Sequence, residues 1–437
     1  MEQLGDIVRV AAIIGNNQSE APGAAATERI VMLGVAIPDV VMAAVIKADP
    51  APDVPAQKIS WAVIRGIECT GKVIDLISTV PIRDYPKSDR LWSGYQKWDR
   101  ANGSDNQLLP FINVLGFKQL TRFFGCVAVL LRWSIANRRH KRHVLVYSLI
   151  SAHLCAVWCV RLLFSIKTTV LITDLPGLAT GQESWWRRWL RPIDGSIIHH
   201  TVQTADGLMV LTQAIAEDYA PNVPAMVMEG MVSLQSEELA KTVPESSGRP
   251  KEFIVLYTGA LGRKYGIALL LDAFAELPGE GFRLWLFGSG DMAEDIRRRA
   301  KEDPRVYFAG RVAPEEAFRK CQQATVLINP RPTNEPFTRY SFPSKVLEYM
   351  AAGRPVITTR LSAIPPEYNP YLIWLDRETP EGLATLLRQL GEEPRKRLDE
   401  LGGRGRDFVL QEKNYRRQGR RIVEFIEHIN SLSNRKR

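Results

Sequence analysis

Lys345 and Glu348 stand three residues apart in "SFPSKVLEYMAAGRPV" (341–356), close enough to share one face of a short helix. Pro343 suits the first turn of that helix, with Ser341 or Phe342 as its cap, and Gly353 followed by Pro355 stops it. Amides that open a helix have no internal partner, so those from about Ser344 onward would face whatever lies before them. Lys345 adds a mobile cation near the same point, and Glu348 can accept hydrogen bonds from two adjacent hydroxyls. A nucleoside diphosphate carries the matching set, with phosphates for the amides and lysine and ribose hydroxyls for the glutamate. In isolation, a glutamate on a helix surface is ordinary.

Three further loops belong with this one. "TGALGRKYG" (258–266) offers Gly259, Arg263 and Lys264; "FGSGD" (287–291) offers Gly288 and Gly290; Arg311 opens the loop after 306–310. Arg263 and Lys264 read equally as exposed turn cations, and a glycine turn after a strand is common.

These loops need strands to place them. "FIVLYTG" (253–259), "FRLWLFG" (282–288), "VYFAG" (306–310), "TVLINP" (325–330) and "PVITT" (355–359) read as buried strands. Helical segments 266–277, 291–302, 314–322 and 343–352 lie between them. Such alternation predicts a parallel sheet covered on both faces, with ligands outside the carboxyl ends of the strands. Upstream, 30–37, 73–79, 143–150, 169–174 and 206–212 repeat the strand pattern less regularly, with a helix over 152–166. "KTVPESSGRPKE" (241–252) is the best linker. The expected architecture is α/β, with two facing Rossmann-like domains. It divides into an extension (1–28), a first domain (29–240), a linker (241–252), a second domain (253–403), and a single long helix with a basic tail crossing back (404–437).

Composition agrees with a globular chain. Of 437 residues, 45% are hydrophobic and 24% charged, and the net charge of +9 favours an anionic partner without naming it. Nucleic acid is permitted by charge, but no recognition motif accompanies it. Five cysteines without ligand spacing point to a reducing, cytoplasmic compartment. No apolar run reaches about 18 residues, so no membrane span is expected.

"FPSKVLEYMAAGRPVITT" resembles the donor-nucleotide motif of GT-B glycosyltransferases of family 4, and "YTGALGRKYGIALLLDAFAEL", "LWLFGSGD" and "IPPEY" extend the match. It looks like the branch found in bacterial surface-polysaccharide gene clusters. "IPDVV", "VLITDLPG" and "DGLMVLTQAIAEDY" carry a weaker likeness in the first half. The resemblance implies two Rossmann domains and metal-independent, retaining transfer of a sugar from a nucleotide sugar, which is a co-substrate rather than a cofactor. Of the family's two motif glutamates, the second falls on Glu348, which contacts the donor ribose. The first falls on Tyr340, which is not acidic; Glu335, five residues earlier, is the candidate substitute. The family's Arg after "TG" and Lys before the next Gly are here Ala260 and Tyr265, leaving Arg263, Lys264 and Lys345 to neutralise phosphate. A first-domain histidine that contacts the transferred sugar has its nearest candidate in His153, which reads equally as a packed histidine. Asp174, before Leu-Pro, reads equally as turn-forming.

Basic residues alternate with bulky apolar ones in 117–143, and "SWWRRWLR" (184–191) packs tryptophans among arginines. Both suit a face resting on anionic lipid at the inner membrane, where a lipid-linked saccharide acceptor would lie; a core helix with a solvated basic side fits 117–143 equally. Two other classes stay open. A sugar-nucleotide epimerase of the same fold would need paired carboxylates. A degenerate transferase acting as a scaffold would explain Tyr340, Ala260 and Tyr265.

Overall fold

The computed structural model describes residues 28–49, 53–173, 175, 185–241 and 251–432, with backbone only for 185–191 and 234. Residues 1–27 of the expected extension, most of the linker, Asp174 and the side chains of the Trp/Arg cluster at 184–191 fall outside the described residues.

The first half opens with β1 (Glu28–Gly34), α1 (Asp39–Ala48), α2 (Val54–Glu68) and β2 (Ile74–Ser78). Four short strands follow: β3 (Trp92–Ser93), β4 (Gln96–Trp98), β5 (Asn106–Leu108) and β6 (Phe111–Ile112). Then come α3 (Phe117–Ala136), β7 (Lys141–Tyr147), α4 (Ser151–Leu163), β8 (Ile166–Ile172) and α5 (Trp185–Gln203). β9 (Gly207–Val210), α6 (Gln213–Tyr219), β10 (Ala225–Val227) and α7 (Leu234–Ala240) complete it. The sheet order is β10-β9-β8-β7-β1-β2-β5-β4, parallel except for β4 against β5. Its central strands are buried on both faces, which is why they read as continuous apolar runs.

The second half runs β11 (Phe253–Ala260), α8 (Ile267–Ala275), β12 (Phe282–Ser289), α9 (Ala293–Glu302), β13 (Val306–Gly310), α10 (Pro314–Gln323) and β14 (Val326–Asn329). α11 (Ser344–Ala351), β15 (Val356–Thr359), β16 (Leu372–Leu375), α12 (Pro380–Glu392), α13 (Arg395–Glu412) and α14 (Tyr415–Leu432) follow. All six strands are parallel, in the order β13-β12-β11-β14-β15-β16.

The structure departs from the sequence reading at three places. The tail is two helices, because Lys413 breaks the run and the Asn414 side chain accepts the Arg417 amide at 2.8 Å to start α14. α13 packs on α11, whereas α14 returns to α2. There Gly66 and Gly419 meet so closely that a Cβ on Gly419 would lie 2.0 Å from the Gly66 carbonyl oxygen. Second, α7 packs on α10 and α11, and Val232 and Ala240 join the core of the second sheet. The chain therefore leaves the first core ahead of the expected linker. Third, β3 to β6, β10 and β16 have only two to four residues each, too few to show a period-two pattern.

At the crossing itself, Lys413 is buried between Glu229 (Nζ–Oε1 2.5 Å) and Glu367, and Tyr368 donates its hydroxyl to Glu229 at 2.8 Å. A buried charge holds its place only with such partners, and these three join both halves.

Candidate active site

The strand order of the second sheet reverses between β11 and β14, with β12 and β13 on one side and β15 and β16 on the other. Loops leaving such a point diverge and open a crevice at the carboxyl ends of the strands. Gly259 and Gly288 pair there, at the ends of β11 and β12. Their φ angles are +148° and +138°, and a Cβ on Gly288 would lie 1.8 Å from the Gly259 carbonyl oxygen. Only glycine fits, so bare backbone forms the wall. With Thr258, Ser289 and Arg311 it lines a cavity of about 260 Å³. Arg311 is steered across it by donating Nε to Ser289 Oγ at 3.0 Å. Gly290 lets the two loops close on each other, since a Cβ there would meet the Leu261 carbonyl oxygen at 2.2 Å.

α11 points its amino end toward this cavity. Pro343 itself is the cap, without a side-chain bond, so neither Ser341 nor Phe342 has the expected role. The Val346 amide reaches the Pro343 carbonyl at 2.8 Å, which leaves the amides of exposed Ser344 and of Lys345 ahead of it. The lysine stem lies along Gly259, with Cε 3.5 Å from where a Cβ would be. Its Nζ is 2.6 Å from Glu348 Oε2, and both side chains are partly solvated. Buried Tyr349 sets the helix in place, because its hydroxyl accepts the Thr258 amide at 2.8 Å and donates to the Thr258 carbonyl at 2.9 Å.

The loop cations divide. Arg263 is well exposed and faces Asp295 of α9 at 3.8 Å. Lys264 Nζ lies over the rings of Tyr265 and Phe337, at 5.1 and 5.5 Å from their centroids. Arg331, two residues past β14, lies over the same two rings at 5.3 and 5.2 Å. Its Nε is buried without a hydrogen-bond partner, no carboxylate among the described residues pairs with it, and burial pushes its pKa down. Arg331 and Tyr349 were not singled out from sequence. The signal for Arg331 was an arginine between two prolines directly after a strand; for Tyr349 none was visible beyond an apolar helix face.

Tyr340 turns to the other half of the molecule. Its hydroxyl donates to Asp218 of α6 at 2.6 Å, and Arg339 grips the same carboxylate at 3.1 and 3.0 Å. The Tyr340 hydrogen bond foremost, then Arg339, holds Asp218 below the usual carboxylate range. Glu335 is half-buried at the head of the 3-10 turn Pro336–Arg339, its carbonyl taken by Thr338.

His153 lies apart from this group. It is fully buried at the start of α4, with Nε2 3.5 Å from Thr79 Oγ1 and Nδ1 unpartnered. Burial, and then the Arg122 guanidinium, lower its pKa to about 3, so the ring is neutral at physiological pH. With no exposed atom, it stands behind the cleft wall rather than on it. Among the described residues, no three His, Cys, Asp or Glu side chains gather as metal ligands.

Residues 252–393 match the family model described as "Glycosyl transferases group 1". Comparison with curated proteins gives no significant match. Among solved structures, sucrose-phosphate synthase from Thermosynechococcus elongatus is 15% identical, over 93% of this chain and 100% of that one, with a TM-score of 0.62. HepE from Anabaena, in complex with UDP, is 12% identical over 92% and 100%, with a TM-score of 0.59. The lipopolysaccharide outer core galactosyltransferase WaaB is 17% identical over 91% and 99%, with a TM-score of 0.56. These likenesses fix the fold of nearly the whole chain, and the family match covers the part of the second half that holds the cavity. The chain has the GT-B fold, and its residues 252–393 match a glycosyltransferase group 1 domain.

Proposed function

We propose that the protein transfers a sugar from a nucleotide-sugar donor to a hydroxyl of a lipid-linked saccharide, in the synthesis of a surface polysaccharide, with retention of anomeric configuration and without a metal ion. The donor half rests on one observation: the Gly259–Gly288 wall, Lys345, Glu348 and the opening amides of α11 meet at the switch point of the second sheet. The donor's diphosphate sits against the Ser344 and Lys345 amides and Lys345, with Arg311 at the far side and Arg331 behind. Glu348 holds the ribose hydroxyls. Before the donor arrives, Lys345 and Glu348 neutralise each other. A partly solvated pair is worth only ~0–1 kcal/mol, so exchanging each partner for a ligand group costs little. As the sugar leaves, negative charge grows on the diphosphate, and fixed cations and amides stabilise it without reorganising. Arg331 suits this work because a half-buried cation without a carboxylate, its Nε unpartnered, gains from an arriving anion. The surface-polysaccharide reading is supported by the likeness to a lipopolysaccharide galactosyltransferase. A cytoplasmic enzyme working at the inner membrane face is the setting this implies.

The test is calorimetric titration with UDP, GDP, ADP and dTDP, alone and as sugar conjugates, on wild type and Glu348→Ala. One family of nucleotides should bind wild type and bind the variant at least about tenfold more weakly. Binding by none of them overturns the donor site. A scaffold reading draws on one observation, the engagement of Tyr340 with Asp218 in place of a sugar-facing glutamate. Donor binding without turnover on any acceptor would favour it.

A further inference from the structure

The exposed large apolar side chains are unevenly placed. Among the described residues, Tyr307 alone lies in the second domain, and Leu432 ends the last helix; the others all belong to the first domain. α3 carries the most ordered group. Phe117, Leu120, Phe124 and Ile135 are 58%, 52%, 61% and 55% exposed. Their spacing of three, four and eleven residues returns to one line on a helix, so they form a stripe along all 20 residues of α3. The opposite face is accounted for, because Cys126, Leu130 and Trp133 are buried in the first core. At its amino end the stripe is continued by the β3–β6 ribbon, where Trp92 and Ile112 face each other across the strands at 58% and 38% exposure. The Ile112 amide bonds Thr121 of α3 at 3.1 Å, so ribbon and helix form one surface. At its carboxyl end, Arg138, Arg139 and Lys141 are exposed and none forms an ion pair with a carboxylate among the described residues; Arg132 is exposed beside the stripe.

An apolar stripe with cations at one border has the composition of a helix that lies in a lipid–water interface. The cations find lipid phosphates while Phe, Trp and Leu reach the acyl boundary. No described helix is long and apolar enough to cross a membrane. We propose that the first domain docks on an anionic lipid bilayer through the stripe of α3 and the β3–β6 ribbon, with Arg138, Arg139 and Lys141 against the headgroups. The docking stands on this surface alone. Its link to a lipid-borne acceptor rests on the function proposed above.

Sedimentation of the full chain with vesicles tests it, using phosphatidylcholine alone and phosphatidylcholine mixed with phosphatidylglycerol. Wild type should bind the anionic vesicles and bind them more weakly in high salt. Leu120→Ser with Phe124→Ser should reduce binding at least about tenfold. Both residues are exposed, and an unchanged melting temperature shows that the variant folds. Arg138→Glu with Arg139→Glu should remove the preference for anionic over neutral vesicles. No binding by wild type, or undiminished binding by the stripe variant, overturns the proposal. So does light scattering that finds a wild-type dimer which the stripe variant splits, since the face would then be covered by a second copy. Nucleotide titration of the stripe variant separates the two readings: lost vesicle binding with intact nucleotide binding concerns the surface, and the reverse concerns the donor site.

Discussion

The two domains share a parallel sheet between helices and use their polar groups in opposite ways. The second domain places bare backbone, a partly solvated ion pair and a half-buried, carboxylate-free arginine at its strand ends. The first domain turns its polar groups inward. His143 and His153 are fully buried, Lys118 is held by the Ile82 carbonyl and Asp84, and Arg122 donates to the Val80 carbonyl with its guanidinium 4.3 Å from the Phe111 ring centre. Most of the exposed large apolar side chains among the described residues also lie on it.

The contrast breaks most severely at Gly288. Valine there combines a disfavoured positive φ with a collision against backbone that cannot retreat, and should cost roughly 4 kcal/mol, seen as a large fall in melting temperature with loss of nucleotide binding. Gly103 of the first domain has φ +72° with nothing within 4 Å, so Gly103→Ala should cost only about 1 kcal/mol. Equal losses would mean that strain, rather than close approach, governs both sites.

Acid should separate the domains next. Burial lowers the His143 pKa to about 4 and the His153 pKa to about 3, against an unfolded value near 6.5. A depressed pKa means that the unfolded chain takes up protons first. Stability is therefore intact above pH 6.5, and is lost as pH falls from there towards 4 and 3. At pH 5 each histidine removes about 2 kcal/mol. Residues 251–413 contain no histidine, so the first domain should open first, as hydrogen exchange at pH 7 and pH 5 would record. His153→Gln should flatten the pH dependence by about one proton. Equal acid opening of both halves would contradict the assignment.

In the donor crevice the variants should move binding and leave stability alone. Lys345→Ala removes a cation from the phosphates and should weaken nucleotide binding by about 2 kcal/mol, or roughly thirtyfold, with little change in melting temperature. Arg331→Met sharpens the point. It should leave the unliganded protein as stable or more so, because a half-buried charge whose Nε has no partner is costly, and still weaken the nucleotide about tenfold. A fall in stability would make Arg331 a structural residue.

Much of the second domain was legible because four of its strands are largely apolar runs that end at glycine or proline, and the paired Lys345 and Glu348 follow from spacing alone. What escaped depends on contacts across long separations. Tyr349 reaches Thr258 and Tyr340 reaches Asp218, and neither distance is written in a local pattern. The β3–β6 ribbon is made of strands too short to have a period. The expected break at the linker missed the crossing because α7 is bound to the second core by side chains whose partners come later in the chain. His153 showed its position but not its burial, which α4 and the β2 end decide together.

Tyr340 is one of the points where the two domains touch, and changing it should have the smallest effect. Phenylalanine keeps the ring against the first core and loses only the hydroxyl bond to Asp218, which Arg339 still holds. A slight rise in exchange at α6 is the expected result, with nucleotide affinity unchanged. Glutamate at this position would return the carboxylate that the motif usually carries, but it would face Asp218, whose negative charge is stabilised by the Tyr340 hydroxyl in wild type. Tyr340→Glu alone should therefore loosen the contact without improving turnover. Combined with Asp218→Asn, the glutamate is freed from repulsion and can turn to the crevice. Higher turnover in the double variant than in either single one would show that Tyr340 trades donor-sugar contact for a tie between domains. Strictly additive behaviour would show that the tie and the crevice are independent.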